Sequence, residues 1–188
     1  MESQELFNKY SNGEHWKNNP ITYSEKFSKF LKSKRIKNIV DAGCGNGKDT
    51  HIFYLNKLNA LGIDYSKKEI KLAKKEFPQL KFEVQNIENL KFKNNSIDSF
   101  FCINVIHYTK KEKAISEFYR TLKKGGYLFI HFNLEIKDKS GRIDHKDSKK
   151  EITKLVSNFK IIKKEIISRK DTLPIEHTHK ILELILQK

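Results

Sequence analysis

A three-layer α/β sandwich around a seven-stranded, mostly parallel sheet, closed by an antiparallel C-terminal hairpin strand, is the fold this chain predicts. Three observations carry that expectation. Short apolar runs alternate with amphipathic ones along the chain, a glycine-rich turn follows the first run, and the last two runs are joined by too few residues for a crossover helix. At 188 residues a single domain over 1–188 is expected, with an N-terminal helical cap region over 1–34 and the sheet core over 36–188.

The elements follow in order. From Pro20 to Lys34, Ile21, Tyr23, Phe27, Phe30 and Leu31 recur at helical spacing behind a proline start, which reads as a helix lying on the sheet. KNIVDAG is the first strand, and a helical stretch separates it from LNALGID. A helix leads to LKFEVQN, then IDSFFCIN, a helix, GYLFIHF, a helix and FKIIKKEIIS, with HKILELIL closing the set. Three helix starts are written as capping boxes, Ser66 to Glu69, Thr109 to Glu112 and Ser148 to Glu151, in which a hydroxyl caps the third N–H and a glutamate reaches back. KDKSGRIDHKDSKK, residues 137–150, is the one long-loop candidate. The runs near 159–168 and 177–186 pair as a hairpin, so one of them opposes the other strands.

Composition excludes several classes. Cys44 and Cys102 lack the spacing of a disulfide scaffold, zinc ribbon or redox motif and read as small buried residues in a reducing setting. The first residues, MESQELFNKYSNGEHWKNN, contain no apolar core of a signal peptide, and no window approaches about 18 consecutive apolar residues. A soluble cytoplasmic protein without membrane partners is therefore expected. The net charge of +15 suggests acidic partners, but only four of the 38 basic residues are arginines: Arg35, Arg120, Arg142 and Arg169. Scarce arginine and dispersed lysine favour a solvated basic surface over a nucleic-acid interface.

VDAGCGNGKDT, residues 40–50, carries the chemistry. A glycine turn between strand and helix lets backbone amides approach a ligand at a helix N-terminus. A phosphate loop of the GxxxxGK[ST] kind fails because Ala42 and Asp49 stand where glycine and a hydroxyl are required, and the dinucleotide pattern GxGxxG fails at Lys48. What remains is DxGxGxG, followed by Asp64 at the end of the second strand. An acid there can accept both hydroxyls of an unphosphorylated ribose.

VDAGCGNG, LGIDYS, EVQNIENLKF, IDSFFCINVIHY and LKKGGYLFI, in this order, resemble the motifs of the class I S-adenosylmethionine-dependent methyltransferases, with their Rossmann-like core. The resemblance implies S-adenosylmethionine as cofactor. It implies that Asp41 and the stretch Gly43, Cys44, Gly45, Asn46 and Gly47 surround the methionine portion, whose presence would crowd the glycines. It further implies that Asp64 holds the ribose, that Tyr65 borders the adenine, and that Ile87 supplies an amide and an apolar face. Asn86 stands where the family usually has an aspartate, and a turn-forming role there is an equal alternative. Asn104 and Val105 would lie near the transferring methyl.

Methyl transfer from a sulfonium needs alignment more than acid–base help, and a base only for a protonated acceptor. His107 and His131 at strand ends are the first candidates for a base or substrate contact. Tyr108, His177 and His179 are weaker ones, and His145 falls in the polar segment nearby. Tyr10 and Trp16 are further N-terminal candidates, Trp16 as a packing anchor or a lid. His177-x-His179 is a possible ligand pair, but no third ligand is fixed by spacing, so no metal is assigned. The Asn-Pro-Pro-Tyr arrangement that holds a nucleobase amine in this family is missing after the fourth strand, and the chain resembles the compact small-molecule branch. A small-molecule acceptor is expected. The alternatives are an RNA or protein methyltransferase using the basic surface, where residues 146–170 carry nine Lys/Arg against three acids, and a non-catalytic cofactor-binding protein.

Overall fold

The computed structural model describes residues 23–172 and 175–188. Helix α1 (Tyr23–Ser33) precedes β1 (Asn38–Ala42), α2 (Lys48–Leu55), β2 (Asn59–Asp64), α3 (Lys67–Glu76), β3 (Lys81–Val84) and β4 (Ile97–Cys102). A 3₁₀ turn at Ile106–Tyr108 leads into α4 (Lys111–Thr121), β5 (Leu122–Asp138), β6 (Ile143–Lys146), α5 (Lys149–Leu155), β7 (Lys160–Asp171) and β8 (His177–Gln187). The predicted start of the first helix at Pro20 and Ile21, like Tyr10 and Trp16, lies outside the described residues.

The strand order is β3-β2-β1-β4-β5-β8-β7, with β6 paired to β5. β1 to β5 run parallel, and β8 is antiparallel to both β5 and β7, as the short connection required. The order reverses between β1 and β4, so the carboxyl ends of these strands open a crevice there. Alternation along the strands sorts the core. Phe101 and Phe129 pack under α1 and α2 with Phe27, Leu31 and Phe53, while Phe100, Leu128 and Ile130 meet Ala114, Ile115 and Phe118 of α4 and Ile152 of α5. Phe27 and Phe101 hold their ring centroids 5.2 and 5.1 Å from that of Phe129.

Two local expectations are corrected. The segment 137–150 is not a plain loop, because β5 extends to Asp138 and folds back as β6, giving eight strands rather than seven among the described residues. Asp138 closes that turn, its Oδ1 accepting bonds from the Ser140 and Arg142 amides, and Gly141 takes a φ of 86°. Of the three capping boxes, the hydroxyls of Ser66 and Ser148 accept from the Glu69 and Glu151 amides, but Thr109 does not cap α4. Its hydroxyl donates instead to the Ile106 carbonyl, which its own amide also reaches, and the Glu88 carboxylate caps the Lys110 amide from a distant segment.

Candidate functional site

The loop after β1 is turned by three left-handed glycines, Gly43, Gly45 and Gly47, with φ of 81°, 51° and 88°. Their surroundings differ. A side chain at Gly43 would overlap the Val105 side chain, and a Cβ at Gly47 would stand 2.6 Å from the Phe82 ring, whereas at Gly45 nothing lies within 4 Å. The crowding that excludes side chains at Gly43 and Gly47 therefore comes from the protein itself. Gly45 alone faces open space, a cradle at the end of β1.

Asp64 ties this cradle to β2. Its Oδ2 accepts the Gly45 amide at 2.9 Å and its Oδ1 the Ser66 amide at 2.8 Å. Burial raises its carboxyl above the ordinary range, while the amides of Ser66, Gly45 and Tyr65 act in the opposite direction. Each oxygen of the carboxylate keeps acceptor capacity beyond one amide. Tyr65 beside it is 78% exposed, a large ring left uncovered at the same edge. Beneath the loop, Asp41 is buried and accepts the Thr50 hydroxyl at 2.6 Å; burial, and then the Asp49 charge, push its carboxyl well up. Cys44 and Cys102 are buried with their thiols pushed far up by desolvation, so neither offers a thiolate. The Asn46 amide donates to Glu76.

At the end of β3, the Asn86 side-chain carbonyl accepts the Glu88 amide at 2.9 Å, closing a turn, and Ile87 is buried against the core. Asn104, after β4, takes a φ of 58°, and its carbonyl faces the Arg169 guanidinium at 3.4 Å. Val105 packs partly buried on the core.

A polar cluster fills the same edge, where β5 and β7 end and β8 begins. The His107 ring lies tilted against that of Tyr108, with centroids 3.9 Å apart, and its Nδ1 lies 3.2 Å from the Asn133 amide nitrogen. Asn133 turns its carbonyl to Nδ1 of His179 at 3.2 Å. His179 in turn faces Asp171, which Arg169 pairs at 2.8 Å. His177 lies against His179, and His145 on β6 comes within 6.1 Å of the His107 ring. Nε2 of His145 is 3.3 Å from Asp147 but poorly aligned for a hydrogen bond; Asp147 is held by Lys111 at 2.6 Å. Burial raises Tyr108 to about 12.

His131 is the exception among the five edge histidines, for it joins a different group. Buried under α1, it sets Nε2 3.1 Å from Oε2 of Glu183 and its ring edge-on to Tyr23. Lys26 binds the other oxygen of Glu183, and the two partners hold that carboxyl down at about 2 against the opposing effect of burial. Nδ1 of His131 is buried without a hydrogen-bond partner.

Sequence reasoning missed Asn133, Arg169, Asp171, Glu183 and Lys26. For the four on strands the signal was period two, as in Arg169-x-Asp171 and in Glu183, the single acid within ILELIL, whereas Lys26 on α1 carried none.

Desolvation lowers the imidazole of His107 well below 6.5 and lowers that of His131 despite its glutamate partner. Both are then neutral at pH 7. Below 6.5 the unfolded chain takes up protons that the folded chain refuses. Each residue thus contributes stability that is full above 6.5 and falls with decreasing pH, by at most about 1.4 kcal/mol per unit, until its folded pKa is passed. Imidazole ¹⁵N shifts followed from pH 7.5 to 4.5 should place both midpoints below 6.5. A midpoint at or above 6.5 for either would contradict the dominance of burial.

Residues 40–130 match the family described as "Methyltransferase domain". The ubiquinone/menaquinone biosynthesis C-methyltransferase of Campylobacter jejuni is 34% identical over 108 residues, 52% of this chain and 45% of that protein. The chain thus spans about half the length of the curated relatives it matches. Among solved structures, the S-adenosylmethionine-dependent methyltransferase from Methanosarcina mazei superposes with a TM-score of 0.68 at 20% identity, covering 81% of this chain and 92% of the other. Magnesium protoporphyrin IX methyltransferase from Synechocystis, solved with bound S-adenosylmethionine, gives 0.66 at 17% identity over 100% and 98%. At these identities the two structures share the fold.

Proposed function

We propose that this chain, whose residues 40–130 match the methyltransferase domain family, is a class I S-adenosylmethionine-dependent enzyme that transfers a methyl group from S-adenosylmethionine to a small-molecule acceptor. The observation that carries this reading is the cradle at Gly45, open where a Cβ would stand and bonded through its amide to Asp64. An unphosphorylated ribose suits Asp64, whose carboxylate would repel phosphates. Bound there, S-adenosylmethionine supplies a methyl group already activated on a sulfonium for in-line displacement by the acceptor.

In this reading Asp41, Gly43, Cys44, Gly45, Asn46 and Gly47 form the wall beside the methionine portion. Asp64 accepts from the ribose hydroxyls, and Tyr65 and Ile87 flank the adenine. Asn86 contributes its turn, the carbonyl being engaged by Glu88. Asn104 and Val105 line the passage to the acceptor. His107, whose two ring nitrogens lie 3.2 and 3.4 Å from the Asn133 amide nitrogen, serves as a hydrogen-bonding contact to the acceptor molecule. His131 serves as the base: Glu183 fixes the Nε2–H tautomer and leaves the Nδ1 lone pair to take a proton. Tyr108, His177 and His179 complete the polar wall.

A small acceptor is favoured by two features. Two relatives are named for quinone biosynthesis and for magnesium protoporphyrin IX, both small organic molecules. The basic segment is also a poor nucleic-acid stripe. β7 is an edge strand on which Lys163 and Lys170 pair with Glu165 and Glu176, and edge lysines discourage pairing with other sheets.

Calorimetric titration with S-adenosylmethionine and, separately, NAD is the test, followed by transfer of labelled methyl groups to thiols, amines, hydroxyls and activated carbon acids. Binding of the first cofactor alone is expected. His131→Ala and His107→Ala should lower turnover by about a hundredfold and about tenfold with little change in cofactor affinity. Wild-type turnover in both would remove their roles, and binding of NAD alone would overturn the cofactor assignment.

A further inference from the structure

The end of the β7–β8 hairpin gathers three groups that take no part in the methyl-transfer step itself, although two of them belong to the polar wall. Asp171 and His177 are cross-strand partners, and His179 lies two residues further along β8 on the same face. Oδ2 of Asp171 is 3.3 Å from Nε2 of His179 and 3.7 Å from Nε2 of His177. One potential ligand atom from each of the three residues lies within 4.8 Å of the others, with both histidines buried and the aspartate partly so.

The outward nitrogens fix the tautomers. Nδ1 of His177 is 2.6 Å from the Ile175 carbonyl, which only accepts, so that nitrogen carries the proton. Nδ1 of His179 faces the Asn133 carbonyl, whose amide nitrogen is directed at His107, and carries its proton for the same reason. Both Nε2 atoms therefore present lone pairs toward a carboxylate oxygen. Acceptors converging in this way lack a cation between them.

We propose that Asp171, His177 and His179 bind a divalent transition-metal ion, with zinc the best match to two imidazoles and a carboxylate. Tetrahedral zinc with ligands at about 2.0–2.2 Å holds their donor atoms about 3.4 Å apart, so the pairs at 3.3 and 3.7 Å need only small movements. The outer contacts are those of a metal site: each histidine donates its other N–H to an oxygen, and the carboxylate is itself hydrogen-bonded. Arg169 donates to Oδ2 through Nε and Nη2 at 3.2 and 2.8 Å, which balances the carboxylate charge in the metal-free protein and moderates the affinity. The described bonds leave Oδ1 of Asp171 available, so the carboxylate can turn toward the ion and keep its arginine.

Three protein ligands leave one coordination position, the pattern of sites that bind water or a substrate atom rather than purely structural ones. Arg169 reaches on to Asn104 at the end of β4, so the ion would sit beside the wall assigned to the acceptor and suit one carrying an anionic oxygen or a thiolate.

The test uses the full chain stripped with a chelator and titrated with zinc, and separately with cobalt, whose visible bands report coordination. One equivalent of zinc per chain, visible cobalt bands and a raised melting temperature are expected. His177→Ala and His179→Ala should each weaken zinc binding at least tenfold, whereas His51→Gln, remote on α2 against Phe77, should not. Should an alanine variant fail to fold, as judged by circular dichroism, His177→Gln and Asp171→Asn replace it. Equal zinc affinity in wild type and ligand variants, or no saturable binding to wild type, overturns the site. Zinc binding is read without S-adenosylmethionine, so the result is separate from the fate of the methyl-transfer reading.

Discussion

Asp64→Ala should lower the affinity for S-adenosylmethionine by at least about tenfold while the protein remains folded. The carboxylate is positioned by two backbone amides, those of Gly45 and Ser66, and so points at the cradle without a mobile side chain to order on binding. Bonds from ribose hydroxyls to a carboxylate contribute about 1.5–3 kcal/mol each, and about 1.4 kcal/mol corresponds to a tenfold change in affinity. The substitution also frees the Gly45 amide, which loosens the loop and adds to the loss. Asp64→Asn, which keeps one acceptor oxygen, should fall between. Calorimetry decides the matter, and an unchanged dissociation constant for Asp64→Ala would remove Asp64 from the ribose site.

Gly43→Ala should destabilise the fold by about 2–5 kcal/mol. A left-handed residue with a Cβ costs about 1–2 kcal/mol, and the new methyl would drive into the Val105 side chain, adding about 1–3 kcal/mol of overpacking. For a chain of this size the melting temperature should fall by roughly 4–20 °C. Gly45→Ala is the informative companion. It carries the same backbone penalty but meets open space, so its thermal loss should be smaller and its effect on cofactor binding larger. Equal melting losses in the two variants would contradict the packing difference between these glycines.

The parts of the fold legible in the sequence are those governed by local rules. Apolar runs located the strands, the short connection after β7 fixed the direction of β8, and the loss of glycine at Ala42 and Lys48 removed two phosphate-binding readings. β6 escaped because IDHK has no apolar pattern; its place depends on the turn at Asp138 and on pairing with a β5 longer than its apolar core. The Thr109 cap failed because a nearby carbonyl competed for the hydroxyl. The cause of the glycine crowding was also invisible, since Val105 and Phe82 are distant in sequence from the loop they confine. The polar cluster was half legible. Histidines at strand ends could be listed, but Asn133, Asp171 and Glu183 acquire meaning only when β8 slides between β5 and β7 and sets their register.

That insertion has a further consequence for how the molecule assembles. β7 precedes β8 in the chain, yet β8 is its one neighbour among the described strands, so β7 can join the sheet only together with β8 or after it. Until then the Tyr127–Phe132 segment of β5 has a bare edge on that side. Pairings in this half link distant parts of the chain, from Tyr127 with Gln187 to Asp138 with His177, and such long-range contacts form slowly. The half of the sheet around β1 and β2 can therefore be complete while the other half is still open. The polar cluster, drawn from β5, β7 and β8, exists only after the final strand is in place.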